Sequence, residues 1–352
     1  MAFHANQAFS PANVHLVRDE ASNLDAVIVL HSTALGPAAG GCRFWAYSDR
    51  EAMITDACRL AEGMSYKNAL ADLPLGGGKA VIRRPEGEFD RHALFRAFGR
   101  AVEALRGSYL TAEDVGTSVE DMTAVRDQTR HVAGLPLRAD RPGGDPSPWT
   151  ARGVFLSMQL AAERRLGRPL SECTVAVQGV GNVGAALAGM LHRSGARLIV
   201  ADVDPKAAAR VAIETGATVA SVGGILSARA DIFAPCALGG ILNHHTVGKL
   251  KAKLVCGAAN NQLADPADGE RLAERDILYA PDYVVNAGGI INVAAEYLGW
   301  SQADAATRVE ATAERLALVL DRAAEAGVVP HVAADLLAQQ RIASGHAARR
   351  AA

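Results

Sequence analysis

The spacing of hydrophobic positions changes several times along the chain. Residues 13–19 (NVHLVRD) and 24–32 (LDAVIVLHS) are short runs rich in β-branched and apolar side chains, which predicts strands. Residues 48–72 switch to helical spacing, with Met53, Ala57, Leu60 and Met64 forming an apolar stripe. Ser48 and Glu51 fit a capping box at the start of that helix. A short strand is expected at 79–84 (KAVIRR), a helix at 90–106, and a strand running into a loop at 107–116 (GSYLTAEDVG). Residues 138–150 (RADRPGGDPSPWT) crowd prolines, glycines and charges of both signs, which is a linker composition.

Beyond the linker the rhythm is different. Residues 173–204 read as an apolar strand, a glycine turn, a helix and a second apolar strand ending in Asp202. Short apolar strands follow within 230–237 (ADIFAPCA), 253–261 (KLVCGAANN) and 277–289 (ILYAPDYVVNAGG), and from about residue 287 the chain is helical and alanine-rich. This alternation predicts an α/β protein of two domains, with a doubly wound, Rossmann-type sheet in the second. The boundary is placed at 140/141, the second domain runs to about 325, and the helices of 325–352 are expected to pack back on the first. No internal repeat is visible.

Composition narrows the function classes. The 352 residues carry a net charge near −2 with no basic block, so non-specific nucleic-acid binding has no electrostatic basis. No apolar run reaches the roughly 18–20 residues of a membrane helix, and the first 20 residues lack the charged and apolar regions of a secretory signal. Cys42, Cys58, Cys173, Cys236 and Cys256 are scattered and form no C-x-x-C, as expected of reduced thiols in the cytoplasm and not of a metal site.

Gly179, Gly181 and Gly184 form G-x-G-x-x-G between a strand and a helix, and enclose Asn182 and Val183. The first glycine allows the tight turn, the second lets a pyrophosphate approach backbone, and the third lets helix and strand pack closely. The phosphates then meet free N–H groups and the positive end of the helix dipole. Asp202 ends the next strand 18 residues past Gly184. A carboxylate there accepts from ribose hydroxyls and repels a 2′-phosphate, which favours NAD over NADP.

The other glycine run, PLGGGKAVI at 74–82, fails the phosphate-loop pattern twice, with Leu73 and Ala80 at the required glycine and hydroxyl positions. Lys79 then reads either as a solvated lysine on a turn or as a desolvated general acid–base whose pKa is brought toward neutrality. Lys67 lies three residues past Met64 on the apolar stripe, facing the interior or a cleft, or snorkelling at a helix end. Glu113 and Asp114 follow a strand and are candidate proton acceptors or turn caps. Asn260 and Asn261 fall at the C-terminal end of a sheet strand, where open α/β sheets bind ligands, or form an Asx turn.

Together LGPAAGGCR, GMSYKNALADLPLGGGKAVI, TAEDVG, VQGVGNVG, FAPCALGG, GAANNQL and YAPDYVVNAGG, in order and spacing, resemble the leucine/phenylalanine/valine dehydrogenase branch of the amino-acid dehydrogenases. The likeness covers roughly residues 10–345. It implies reversible oxidative deamination of an L-amino acid to a 2-oxo acid and ammonia, with NAD taking the hydride. It also implies a substrate-binding and oligomerising first domain, substrate in a cleft between the domains, and a homo-oligomer. By match to the family motifs, Lys67 would hold the substrate carboxylate with backbone near Gly40 and Gly41. Lys79 would act on water and the carbonyl oxygen during imine hydrolysis, Asp114 would accept protons from the amino group, and Asn261 would orient substrate or nicotinamide. Thr150, Asn260, Asn286 and the backbone of Pro235–Leu238, including Cys236 and Ala237, would line the cofactor.

The resemblance also bears on the substrate. Where the glutamate branch carries a lysine for a side-chain carboxylate, this chain has Ala39. An apolar wall would leave a second carboxylate unpaired, so glutamate is disfavoured. Ala39 opens room for bulk, whereas the branched Ile290 and Val293 suit aliphatic chains. The expectation is a non-polar amino acid, branched-chain ahead of aromatic.

Overall fold

A computed structural model describes residues 13–136 and 142–351. The first 12 residues, and the front of the expected linker as far as residue 141, lie outside the described residues. Two compact units emerge. One takes in the described residues up to Gly144 with Val293–Trp300 and the chain from Ala338, and the other Asp145–Asn292 with Ser301–Leu337. Among the described residues no helix is long and apolar enough to cross a membrane.

The first unit is built on β1 (Asn13–Asp19), β2 (Leu24–Ser32), β3 (Ala38–Ala39), β4 (Cys42–Trp45), α1 (Arg50–Leu70), β5 (Gly76–Arg83), α2 (Arg91–Ala104), β6 (Tyr109–Leu110) and α3 (Val119–Arg126). The sheet order is β1-β2-β5-β3-β6, with β4 also pairing β5. β1, β2 and β5 are antiparallel neighbours, and β3, β4 and β6 add in parallel. β2 reads as a continuous apolar run because both its faces are covered. Val27 and Val29 join Met53, Ala57, Ala61 and Val81 in the core under α1, while Ile28 and Leu30 join the core with Phe95 and Phe98 of α2.

Two local expectations are corrected here. The N-cap of α1 is Asp49, not Ser48: the Asp49 carboxylate accepts from Ala52 N at 2.8 Å, and the Ser48 hydroxyl donates to that same carboxylate. The glycine run is not a turn before a strand but the first part of β5 itself. Its backbone is thin because its neighbours leave no room. A Cβ on Gly77 would stand 2.0 Å from Ser65 N of α1, and one on Gly76 1.9 Å from Ser32 O.

The second unit opens with α4 (Ser147–Leu166), so the expected linker ends earlier than Thr150, which sits in that helix's first turn. Pro148 is placed where a first turn tolerates proline. Then come β7 (Thr174–Gln178), α5 (Asn182–Arg193), β8 (Arg197–Ala201), α6 (Pro205–Thr215), β9 (Thr218–Val219), β10 (Ile232–Pro235), β11 (Leu254–Val255), α7 (Ala267–Glu274), β12 (Leu278–Tyr279) and α8 (Asp282–Val285). The sheet is parallel throughout, in the order β12-β11-β10-β7-β8-β9. The chain winds outward from β7 in both directions, which makes the space above β7 and β10 the topological switch point. α9 (Gly288–Leu298), α10 (Gln302–Glu310), α11 (Thr312–Ala326) and α12 (Pro330–Ala351) complete the chain. α10, α11 and the start of α12 belong to the second unit, so the return to the first unit begins at Ala338, later than residue 325.

Candidate functional site

Strand register assembles the candidate site of the first unit. β3 pairs Ala38–Ala39 with Gly76–Gly77, and β4 pairs Cys42–Trp45 with Ala80–Arg83 along the same edge of β5. Gly40 and Gly41 therefore form the break opposite Gly78 and Lys79. A Cβ on Gly40 would lie 1.8 Å from Gly78 O, and one on Gly41 2.8 Å from the Asp114 Cβ. Only glycine lets these backbones approach so closely. Tyr109 donates to Gly40 O at 2.6 Å and fixes that break from below.

The next strand brings in the acid. β6 pairs with β3, and Glu113 bridges Cys42 just beyond it, which delivers Asp114 alongside Lys79. Lys79 Nζ lies 2.7 Å from Asp114 Oδ2, and Lys79 is only 4% exposed. The loop carrying Asp114 is tied down by Thr117, whose hydroxyl accepts from Asp114 N and donates to Cys42 O. Burial opposes ionisation of Asp114, but the Lys79 ammonium beside it, with Arg43 behind, holds its carboxyl below the ordinary value. Cys42, buried next to the pair, has its thiol pushed well up by burial, so it stays a neutral thiol and not a nucleophile.

The pleat decides which face the lysine uses. Gly77, Lys79 and Val81 share the face covered by α1. On α1 the buried Asn68 donates to Gly76 O at 2.5 Å and to Ala39 O at 3.3 Å, pinning the end of the helix to β5 and β3 together. Lys67, the residue before it, is half-buried at this same end of the sheet. Ala39 is wholly buried in β3.

The second unit carries the nucleotide-binding features. Gly179 follows β7 with φ +89°, and the next helix has Gly181 as its N-cap without a side-chain cap. A Cβ on Gly184 would stand 1.9 Å from Gly179 O, so α5 lies directly on the turn. A Cβ on Gly181 would meet nothing within 4 Å, which leaves an open cradle over the first N–H groups of Asn182, Val183 and Gly184. An open, uncapped helix start on a glycine turn is what a pyrophosphate needs, so the residues present fit a dinucleotide. Asp202 accepts from Val180 N at 2.7 Å through Oδ2 and from Asp204 N at 2.9 Å through Oδ1. It braces the glycine turn, a duty its position at a strand end did not announce.

Other expected cofactor residues collect at the same C-terminal edge. Ala237 packs on Gly179 beside the switch point, and burial pushes the adjacent Cys236 thiol up to about 12. Asn286 donates to Asn260 Oδ1 at 2.9 Å and to Ala258 O at 3.1 Å. Asn261 adopts a left-handed φ of +52°, held by a bond from its N–H to the buried Asp282, which Tyr279 also caps at 2.5 Å. The Thr150 hydroxyl lies 2.7 Å from where a Cβ on Gly289 would be, so α4 and the start of α9 meet at a glycine pair. Ile290 and Val293 are half-buried one turn apart on α9. Sequence reasoning missed Arg43, Asn68, Tyr109, Thr117 and Asp282. All but Thr117 stand inside quoted stretches, but only their partners reveal what they do.

A parallel switch-point sheet with a dinucleotide cradle in one unit, and a buried lysine–carboxylate pair in the other, define a nicotinamide-linked oxidoreductase with acid–base chemistry. Comparison with known proteins refines the class. Residues 6–131 match the family model described as Glu/Leu/Phe/Val dehydrogenase, dimerisation domain, and residues 145–208 and 205–350 match Glutamate/Leucine/Phenylalanine/Valine dehydrogenase. The chain is 47% identical to leucine dehydrogenase of Bacillus subtilis (strain 168), over 92% of this chain and 89% of that one. It is 46% identical to valine dehydrogenase of Streptomyces albus, over 99% and 96%. Its fold superposes on the crystal structure of L-tryptophan dehydrogenase from Nostoc punctiforme with a TM-score of 0.82, at 41% identity over 95% and 96% of the two chains. The chain belongs to the Glu/Leu/Phe/Val dehydrogenase family.

Proposed function

We propose that Lys79 and Asp114 are the proton-handling pair of this enzyme and that Lys67 holds the substrate carboxylate. The activity is that of the family: NAD-dependent oxidative deamination of a non-polar L-amino acid to its 2-oxo acid. NAD, when bound, supplies the hydride acceptor. The chain's own residues do the rest. Lys67, with the backbone at Gly40 and Gly41, fixes the carboxylate and so orients the Cα. Asp114 takes a proton from the amino group, because only a neutral amine can support loss of hydride from Cα. Lys79 then gives and takes a proton at the water and carbonyl oxygen as the imine hydrolyses. Gly179, Gly181, Asn182, Val183, Gly184 and Asp202 hold the dinucleotide, with Thr150, Cys236, Ala237, Asn260 and Asn286 along its path and Asn261 toward its nicotinamide end. The observation that carries this reading is the 2.7 Å pair Lys79–Asp114, buried beside the Gly40–Gly41 break.

This reading assigns Ala39, Ile290 and Val293 to recognition of the substrate side chain, and branched-chain substrates are preferred to aromatic ones. A methylene in a hydrophobic pocket is worth about 1–3 kcal/mol, so specificity is broad. Initial rates on a panel of leucine, valine, phenylalanine, tryptophan and glutamate at saturating NAD test it. The branched-chain members should lead in kcat/KM, and a preference for glutamate would overturn the role of Ala39. The dimerisation-domain match and the scattered, unpaired cysteines support a homo-oligomer working in the cytoplasm.

Asp202→Ser should narrow the preference for NAD over NADP. It should also weaken both cofactors, because the brace on Val180 N is lost along with the charge. Fluorescence titration with NADH and NADPH separates the two effects, and an unchanged ratio would place ribose recognition elsewhere.

A further inference from the structure

The Lys79–Asp114 pair has a third charge built against it. Arg43 lies two residues past the Gly40–Gly41 break and is in register with Val81. Its Nε is 3.5 Å from Asp114 Oδ2, and its Nη1 is 2.9 Å from Asp56 Oδ2 on α1. Tyr47 donates to that same Asp56 oxygen at 2.5 Å. Lys79, Asp114, Arg43 and Asp56 thus alternate in sign from the dry interior outward. An arginine keeps its proton, so the row is no proton wire. It is one fixed positive charge shared between two carboxylates.

We infer that Arg43 is a positioning residue that orients and polarises Asp114, and that Asp56, steadied by Tyr47, sets how much of the Arg43 charge Asp114 receives. The inference rests on the reading of Lys79 and Asp114 as the proton-handling pair. The contact to Asp56 is the shorter one, and both carboxylates draw on the one guanidinium. Around Asp114 stand Lys79 from β5, Arg43 and Cys42 from β4, Tyr109 from β6 and the neighbouring Glu113. α1 carries Lys67 as well as Asp56, three turns apart on one face. Cys42 and Tyr109 have their pKa values pushed well up by burial and stay neutral, so they add no charge to the site. Arg43 and Asp56 are therefore the levers that can be changed without touching the reacting pair.

The test is the pH dependence of kcat/KM. Its acid limb follows the Asp114 carboxyl, which the cations beside it hold below the ordinary value. Removing a nearby positive charge raises that value, and removing a nearby negative charge lowers it. Arg43→Met should therefore move the acid limb upward by about one pH unit. Arg43→Lys should restore part of that shift, since an ammonium keeps the charge but not the two-pronged reach. Asp56→Asn should move the limb the opposite way, by a smaller amount. An unmoved limb in Arg43→Met, or shifts of the same sign in Arg43→Met and Asp56→Asn, would overturn the inference, because simple loss of packing does not reverse sign with charge. If Arg43→Met does not fold, Arg43→Lys against Asp56→Asn carries the same comparison. Asp114→Asn is measured alongside. If it keeps wild-type turnover and limb, the reading of the pair has failed. If it is inactive while the Arg43 and Asp56 variants keep the wild-type limb, only the inference about Arg43 has failed.

Discussion

Lys79→Ala is expected to lose about 10²–10⁴-fold in kcat while still binding NADH at close to wild-type affinity. The size follows from what a positioned acid–base group contributes to a proton transfer, and the split follows from where the residue sits. Lys79 belongs to β5 in the first unit, whereas the dinucleotide cradle is made by residues of the second. The variant has a second consequence. Asp114 keeps its place in a largely dry site but loses the ammonium 2.7 Å away, and Arg43 remains as its cation. Its carboxyl, held below the ordinary value in the wild type chiefly against burial and by Lys79, moves up. A depressed carboxylate stabilises the fold above its unfolded-state pKa, and that stability is lost as pH falls through the folded-state value. In Lys79→Ala this contribution shrinks, so the variant melts lower near neutral pH and its difference from wild type narrows in acid. Stopped-flow turnover, NADH titration and melting curves at two pH values separate the catalytic loss from the structural one. A kcat within threefold of wild type would remove Lys79 from the mechanism.

Much of the fold is legible in the sequence. β1 and β2 follow from their β-branched runs, and the strand, glycine turn, helix and acid of the nucleotide unit follow from one fingerprint. Those signals are local: each element carries its own period and punctuation. What was not legible depends on residues far apart. Gly76–Gly78 show no side-chain alternation, so they read as a turn, yet they are strand because Ser65 and Ser32 crowd them from either side. The start of α1 was misplaced by one residue because Ser48 and Asp49 are both good caps and only the bond to Ala52 N decides between them. The proline-rich lead into α4 looked like linker throughout, although proline is at home in a first helical turn. Nothing local to Arg43 marks it out, and its meaning comes from Asp56 and Asp114, which other elements deliver.

Gly77→Ala should strongly destabilise the first unit. The new Cβ would sit 2.0 Å from Ser65 N and 2.3 Å from Ser65 Cα, both backbone atoms of α1, and 2.2 Å from the Ser65 hydroxyl. No rotamer change relieves a clash with backbone, so α1 must lift away from β5 or β5 must buckle. The helix is not free to lift. Asn68 bonds it to Gly76 O and Ala39 O, and Met53, Ala57 and Ala61 seal it over Val27, Val29 and Val81. Overpacking of a soft core costs about 1–3 kcal/mol, and a rigid backbone contact of this kind belongs at or above the top of that range. A loss of about 3 kcal/mol corresponds to a fall in melting temperature of roughly 6–12 °C for a domain of this size. Gly63→Ala is the matched control. It lies two residues before Ser65 on α1, a Cβ there meets nothing within 4 Å, and glycine to alanine inside a helix gains about 0.5–1 kcal/mol. The two variants add the same methyl group, one into the helix–strand contact and the other into open space, so they should move the melting transition in opposite directions. Because Gly77 sets how closely α1 approaches β5, whatever folded Gly77→Ala is recovered should also show a raised KM for the amino acid, through displacement of Lys67. Melting of Gly77→Ala within 2 °C of wild type would show that α1 yields after all, and that the glycine run is not what fixes the distance between Lys67 and the strand bearing Lys79.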